Sequence, residues 1–294
     1  MTSEQKGRSV THRCWGPRPV QRCASGPAAA SSTVGSEAGP VRVLVTRPQP
    51  GADRTAARLS RLGHEAVIMP LFEGSVTATI DDLPPVAEIG GLIATSARAF
   101  VMFAKQPVPE SGLFSTPVYA VGTATAQAAR DAGFAHVVEG GGTAEALLQT
   151  LIAHHAPVSN GGKTGRSFVT GKPLVYLAGV PRTTAIEVGL STHRIRHSVV
   201  ECYRMTKISY STDIVKADFF SPVPDGVLFY SANAAKAFRE LADTLALDEA
   251  IESVRFLCLS AAIADELPSA WRTRLTVAAR PDEDSLLTSL SALG

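Results

Sequence analysis

The alternation of apolar and polar positions predicts a series of strand–turn–helix units that begins at residue 41. Short apolar runs, such as 41–45, are each followed by a turn and by a stretch with apolar residues at helical spacing. In the clearest example, 91–103, the apolar run ends at Thr95-Ser96 and a helix follows, so a hydroxyl lies where it can cap the helix. Alternating strands and helices predict an α/β fold with parallel sheets covered by helices on both faces.

This series of units occurs twice along the chain. The corner at 91–103 has a counterpart at 226–238, in which Ser231 takes the place of Ser96. Three further strand–helix units recur in the same order: 43–63 as 174–189, 118–132 as 255–267, and 136–152 as 275–293. Glycines are expected to stop three of the helices, at Gly63, Gly133 and Gly189. The recurrence predicts an internally duplicated protein with two doubly wound parallel sheets.

Three segments of a different character lie outside these units. Residues 72–77 and 199–205 are extended and have no obvious helix of their own, which favours a two-stranded connection between two domains. Residues 1–40 are rich in Ser, Gly, Pro and Ala without an apolar period, so we expect a disordered tail. Their arginines and scarce acids are also typical of a transit peptide, which stays open as the alternative.

A polar loop at 156–172 contains the sequence Gly162-Lys163-Thr164, which invites comparison with a phosphate-binding loop. That motif requires a glycine where this chain has Pro157, and no convincing strand precedes it. We therefore reject a nucleotide-binding interpretation of this loop.

Composition and charge narrow the classes of function. The 294 residues are 45% apolar and 19% charged, which fits a globular protein with a substantial core. Residues 1–40 carry five basic and two acidic residues, which leaves 23 basic and 25 acidic residues elsewhere, a net charge of −2. Bulk charge therefore argues against nucleic-acid binding. No apolar run reaches the roughly 18 residues of a membrane span, so no membrane association is expected.

The four cysteines and seven histidines have no metal-ligand spacing, and we expect no metal site. Cys14 and Cys23 lie in the tail, whereas Cys202 and Cys258 lie in apolar strands. No disulfide framework is indicated, so a reducing compartment, the cytoplasm, is expected.

Several short motifs in a fixed order resemble one enzyme family. They are Leu44 to Pro48 with Leu62-Gly63 behind it, Ile93 to Ala99, Ala120 to Gly122, Tyr203 in a returning strand, and Phe229 to Ser231. Each motif is weak alone, but together they span nearly all of 41–294. In the order and spacing of these motifs, the chain resembles the uroporphyrinogen-III synthase family of tetrapyrrole biosynthesis.

The resemblance implies two α/β domains joined by a two-stranded β-ladder hinge. Residues 41–71 and 206–294 would form one discontinuous domain, and residues 78–198 would form the inserted domain. The strands 72–77 and 199–205 would connect them. Periodicity predicts the duplication but does not predict this exchange of the first unit.

The resemblance also implies the chemistry. The substrate would be hydroxymethylbilane, a linear tetrapyrrole with eight carboxylates. The enzyme, a lyase, would remove its terminal hydroxyl as water, invert ring D and close the macrocycle to uroporphyrinogen III. No cofactor is expected, and we expect a monomer whose partner is this small molecule.

The site residues follow from the same resemblance. Tyr203 is the catalytic candidate, because a protonated phenol can act as a general acid toward the departing hydroxyl; ordinary strand packing is the alternative. Strand-to-helix corners would face the cleft and bind carboxylates at helix N-termini. Their residues are Thr46, Arg47, Thr95, Ser96, Gly122, Thr125, Gly179, Arg182, Ser231, Ala232 and Ser260.

One corner departs from the family pattern. Ser260 stands where the family usually has glycine, and Ile263-Ala264 stands where it has Thr-Ala. The change favours, as an alternative function, a catalytically weakened tetrapyrrole-binding or sensor protein of the same fold.

Overall fold

The computed structural model describes residues 39–104, 112–155 and 171–293. Nearly all of the expected tail, most of the loop at 156–172 and the rejected Gly162-Lys163-Thr164 motif lie outside these ranges. The described chain forms two compact units. The first combines residues up to Leu71 with those from Ser209 onward, and the second consists of Phe72–Ile208. None of the helices in these ranges is long and apolar enough to cross a membrane.

Eleven strands occur in the described ranges. They are β1 (Arg42–Val45), β2 (Glu65–Ile68), β3 (Phe72–Val76), β4 (Gly91–Ala94), β5 (Val118–Ala120), β6 (Val137–Glu139), β7 (Leu174–Val180), β8 (His197–Lys207), β9 (Gly226–Phe229), β10 (Arg255–Cys258) and β11 (Leu275–Val277).

Eight α-helices occur in the same ranges. They are α1 (Gly51–Arg61), α2 (Thr123–Asp131), α3 (Ala144–His155), α4 (Ala185–Thr192), α5 (Thr212–Ile214), α6 (Ala232–Thr244), α7 (Ala261–Ala264) and α8 (Glu283–Thr288). Shorter 3-10 helices cover Ile80–Asp82, Val86–Glu88, Ala97–Phe103, Leu113–Ser115, Ser269–Arg274 and Ser289–Ala292, and a π-helical turn covers Val215–Phe219.

The first unit is built on a five-stranded parallel sheet in the order β11-β10-β9-β1-β2. One face carries α1 and α8, whose residues Leu59 and Leu286 pack with Val43 and Val45 of β1. On the opposite face an aromatic group packs at centroid distances of 4.6–6.3 Å; its members are Phe229, Phe238, Phe256 and Trp271. Because β1 pairs with β9, the first strand of the chain completes a sheet made mostly from C-terminal residues.

The second unit is built on a six-stranded sheet in the order β3-β8-β7-β4-β5-β6, in which only the edge strand β3 is antiparallel. One face packs against α3 and α4 through Leu147, Leu151 and Leu190. The other face packs against α2 and the 3-10 helix Ala97–Phe103. The predicted α/β class with two parallel-dominated sheets is therefore confirmed.

The strands expected to connect the domains pair with each other, Phe72 opposite Lys207 and Val76 opposite Tyr203. Both strands belong to the second unit. The role of these strands as a hinge stays a prediction, and so does the internal duplication.

Four local predictions need correction. The helix after Ser96 is a 3-10 helix, whose three-residue turn stacks the buried pair Phe100 and Phe103 on one side. The helix expected to stop at Gly189 continues to Thr192, and Gly189 serves close packing against Leu148 of α3 instead. The last α-helix ends at Thr288 and tightens into a 3-10 turn. Helix α7 ends at Ala264, short of Leu267.

Candidate functional site

In the second unit, polar side chains gather at the carboxyl ends of β4, β7 and β8. Thr95 follows β4, and its Oγ1 lies 2.9 Å from the hydroxyl of Tyr176 on β7. Tyr176 is almost fully buried, and burial raises the pKa of its phenol. The hydrogen bond with Thr95 opposes this rise, while the proximity of Glu187 and Tyr203 adds to it. Tyr176, which sequence reasoning missed, is therefore a protonated phenol, and it packs on the face of the sheet that α3 and α4 cover.

Tyr203 lies half-buried on β8, where the register with β7 is irregular. Ala178 pairs with Glu201, but the next residue, Gly179, pairs with Tyr203, so Cys202 is an extra residue on β8. The ring of Tyr203 lies directly against Gly179. A bulge of this kind changes the direction of a side chain, and such features occur often beside active sites.

Arg182 is held between two carboxylates. Its Nε lies 2.8 Å from Glu187, and its Nη1 lies 2.9 Å from Glu201. The hydrogen bonds to Glu187 and Glu201 raise the pKa of Arg182, so it stays charged. The expected contact between Arg182 and a substrate carboxylate would therefore compete with two existing ion pairs.

Three further predicted residues of this unit lie at helix starts. Ser96 is a helix N-cap whose Oγ accepts a hydrogen bond from the Arg98 backbone at 3.2 Å, so the predicted capping role is confirmed. Gly122 is the N-cap of α2 and leaves the first N–H groups of that helix without a side-chain cap. Thr125 lies on the buried face of α2, with only 5% of its surface exposed, which argues against a side-chain contact with substrate.

In the first unit, Thr46 is fully buried at the end of β1. Its Oγ1 donates a hydrogen bond of 2.7 Å to the Leu228 carbonyl of β9. The side chain thus secures the pairing of β1 with β9. The expected contact of this hydroxyl with substrate has no support in the geometry, because its proton is already donated inside the core.

Arg47 belongs to a network that sequence reasoning did not find. Its guanidinium lies 4.3 Å from the centre of the Tyr230 ring and 3.1 Å from Oε1 of Glu283, the first residue of α8. Thr55 and Tyr230 donate hydroxyl hydrogen bonds to the same oxygen, and Arg58 pairs with the second carboxylate oxygen at 3.1 Å.

The electrostatics of this network follow from its partners. Burial alone would raise the pKa of Glu283, but the hydrogen bonds from Thr55 and Tyr230 and the charges of Arg47 and Arg58 outweigh it and lower the pKa. Burial raises the pKa of Tyr230 well above its usual range. Glu283 is therefore ionised and Tyr230 protonated at neutral pH, and the charge of Arg47 is largely used within the unit.

The remaining predicted corners of the first unit also lie at helix starts. Ser231 is exposed, caps α6 by accepting from the Ala234 backbone at 3.2 Å, and is followed by Ala232 as the first helical residue. Ser260 precedes the four-residue α7 without a side-chain cap hydrogen bond. Ile263, which stands in the family's threonine position, is buried in that short helix.

Each unit thus presents helix starts and phenols at the carboxyl edge of its own sheet. Such an edge can bind anionic groups through backbone N–H donors and can offer a neutral O–H to a leaving group. Across residues 39–104, 112–155 and 171–293, no group of three metal-ligating side chains lies close enough together to hold a metal ion.

Sequence signals for the missed residues were partial. Tyr230 stands inside the quoted Phe229 to Ser231 motif, and Glu283 directly precedes the helix predicted from Asp284 to Leu293. Neither position indicates that the two side chains meet.

Comparison with known proteins gives concordant results. The family model described as uroporphyrinogen-III synthase HemD matches residues 53–288 of the chain. A search of curated proteins gives no significant match.

Two solved structures are similar. The uroporphyrinogen-III synthetase of Helicobacter pylori 26695 matches with a TM-score of 0.56 and 17% sequence identity, over 86% of this chain and 100% of that chain. A mutant uroporphyrinogen III synthase from the extremely thermophilic bacterium Thermus thermophilus matches with a TM-score of 0.51 and 18% identity, over 86% of this chain and 98% of that chain. At these identities the two structures support the fold, and the family rests on the model match.

Proposed function

Because the chain belongs to the uroporphyrinogen-III synthase family, we propose that it cyclises hydroxymethylbilane to uroporphyrinogen III. In this reaction the terminal hydroxyl leaves as water, ring D is inverted, and the macrocycle closes. The proposed enzyme is a lyase of tetrapyrrole biosynthesis, and its substrate carries eight carboxylates.

The observation that carries the proposal is the placement of Tyr203. Its phenol lies on the bulged part of β8 and against Gly179, the second-last residue of β7, at the carboxyl edge of the sheet. A leaving hydroxyl departs faster when a protonated group donates to it in the transition state. We assign that donation to the Tyr203 hydroxyl.

Substrate binding, in this proposal, uses backbone donors more than side-chain cations. The starts of α2 and α6 at Gly122 and Ser231 present N–H groups at the carboxyl edges of the two sheets. Each partly exposed carboxylate at a helix N-terminus gains about 0.3–1 kcal/mol. Several such contacts bind a polyanion without requiring a basic protein, which agrees with the net charge of +1.

The test compares the wild-type protein with Tyr203→Phe. Hydroxymethylbilane generated in situ is mixed with each protein, and the product isomers are separated by chromatography. We expect isomer III from the wild type and a kcat lower by roughly 10²- to 10⁴-fold from Tyr203→Phe, the usual contribution of a general acid.

Tyr210→Phe is the matched control, because the Tyr210 hydroxyl donates to the Pro70 carbonyl within the first unit. It should keep wild-type turnover. Isomer I alone from the wild type, which is the spontaneous product, would contradict the proposed reaction. Full turnover by a folded Tyr203→Phe protein would remove Tyr203 from the mechanism.

A second candidate function is a tetrapyrrole-binding or sensor protein without turnover. The buried Ile263 in the shortened helix α7 favours it, because no hydroxyl is available at that position. The same assay separates the two candidates. Tight binding of hydroxymethylbilane, measured by calorimetry, together with isomer I as the sole product would favour the binding protein.

A further inference from the structure

The close approach of Tyr203 to Gly179 depends on the absence of a side chain at Gly179. A Cβ atom added there would lie 2.2 Å from Cζ of Tyr203 and 2.4 Å from its hydroxyl oxygen. Carbon atoms in normal contact are about 3.5 Å apart, so any residue other than glycine at position 179 would collide with the ring in its present place.

The bulge on β8 provides the second part of this arrangement. In a regular strand, successive side chains point to opposite faces of the sheet. Here the consecutive residues Cys202 and Tyr203 both pack against the same apolar group, which contains Ala94, Leu177 and Phe100. The extra residue therefore turns the tyrosine toward a face that it would not reach in a regular strand.

The backbone at Gly179 is held by its pairing with β8, which continues on both sides of this residue. β7 pairs with β4 over 174–177 and with β8 over 174–180. A new methyl group at Gly179 therefore displaces the half-buried ring of Tyr203 rather than the strand.

We propose that Gly179 is a positioning residue that fixes the Tyr203 hydroxyl at the carboxyl edge of the sheet. Its lack of a side chain lets the bulged strand place the ring directly against β7. The inference rests on the proposed function, because it acts through the proposed role of Tyr203. It replaces the direct substrate contact expected for Gly179.

The test is Gly179→Ala. The ring must move by about 1 Å to reach normal contact, and displacement of a reacting group by that distance lowers turnover by up to about 10²-fold. We expect kcat to fall by roughly 10- to 100-fold with KM changed less than about threefold, since the helix starts at Gly122 and Ser231 are not altered.

Gly189→Ala is the matched control. Its added Cβ also meets an atom at 2.2 Å, but that atom is the end of the Leu148 side chain on α3. A glycine that serves packing alone should lower stability and leave kcat unchanged. Circular dichroism and a thermal melt confirm that each variant is folded before turnover is compared.

The double variant separates action through Tyr203 from any independent effect. If Gly179 acts through the phenol, adding Gly179→Ala to Tyr203→Phe lowers kcat no further, whereas independent effects multiply. Multiplying effects, or wild-type kcat in a folded Gly179→Ala protein, would overturn the proposal. Isomer I alone from the wild type would instead contradict the proposed function.

A second measurement tests the contact between Gly179 and Tyr203 even if the Gly179→Ala protein does not fold. In the wild-type protein, the ring current of Tyr203 should shift the NMR signals of the Gly179 α-protons away from their ordinary positions. Tyr203→Leu should abolish that shift, and Tyr203→Phe should retain it. Gly179 α-protons at ordinary chemical shifts in the wild type would overturn the contact on which the proposal depends.

Discussion

The Glu283 carboxylate should contribute more to the stability of the first unit than any other acidic group in its network. One oxygen accepts from Thr55, Tyr230 and Arg47, and the other accepts from Arg58. Its side chain is 24% exposed, so these bonds are partly shielded from water. The perturbation is Glu283→Gln, which keeps the shape and removes the charge.

The magnitude follows from the four partners. A hydrogen bond to a charged acceptor contributes about 1.5–3 kcal/mol and one to a neutral acceptor about 0.5–1.5 kcal/mol, so the two hydroxyl bonds lose about 1 kcal/mol each. The two arginine pairs are partly exposed and lose roughly 0.5 kcal/mol each. We therefore expect the free energy of unfolding to fall by about 3 kcal/mol.

Urea unfolding measures this change. Trp271 is buried against Phe256 in the same unit and reports its unfolding by fluorescence, in a Trp15→Phe background that removes the other tryptophan. With a urea dependence of about 2 kcal/mol per molar, the midpoint should fall by about 1.5 M. Asp284→Asn, the control, alters a 76% exposed carboxylate paired with Arg58 and should change stability by less than about 0.5 kcal/mol.

The pH dependence of the stability of this variant tests the direction of the pKa shift of Glu283. The pKa of Glu283 is lowered in the folded state, so its stabilisation is present above the unfolded pKa of about 4.3 and is lost as the pH falls through the folded pKa. The gap between wild type and Glu283→Gln should shrink below about pH 4. Equal midpoints at neutral pH, or an equal loss in Asp284→Asn, would refute the reasoning.

Three further predictions concern other groups. Thr46→Val should lower the free energy of unfolding by about 1 kcal/mol and leave KM unchanged, because the Thr46 hydroxyl donates to the Leu228 carbonyl inside the core. A raised KM in the isomer assay would instead support a substrate contact by Thr46. Burial and the neighbouring His154 lower the pKa of His155 to about 4, whereas the unfolded chain has a value of about 6.5. The protein should therefore lose stability as the pH falls from about 6.5 to about 4, because the unfolded state binds the proton more readily. His155→Gln should flatten that loss in urea titrations, and an unchanged slope would contradict the shift. Glu201→Gln removes one ion-pair partner of Arg182 and so leaves its guanidinium more available to a substrate carboxylate. We expect KM to fall, by up to about fivefold, and a raised KM would argue against a substrate contact by Arg182.

The sequence determined the features that depend on near neighbours. The strand–helix units and the caps at Ser96 and Ser231 follow from apolar spacing and from hydrogen bonds that span two or three residues. Such local preferences act wherever the residues occur, so they can be identified without the fold. The family motifs added Tyr203 to this set.

Only the tertiary structure decided which distant groups meet. Arg47 reaches Glu283 across 236 positions, and Thr46 reaches Leu228 across 182, because β1 pairs with β9. No apolar period records that pairing, since any buried parallel strand would satisfy it equally well. The direction of Tyr203 likewise depends on one extra residue in β8 opposite Gly179, a register that the alternation of side chains does not predict.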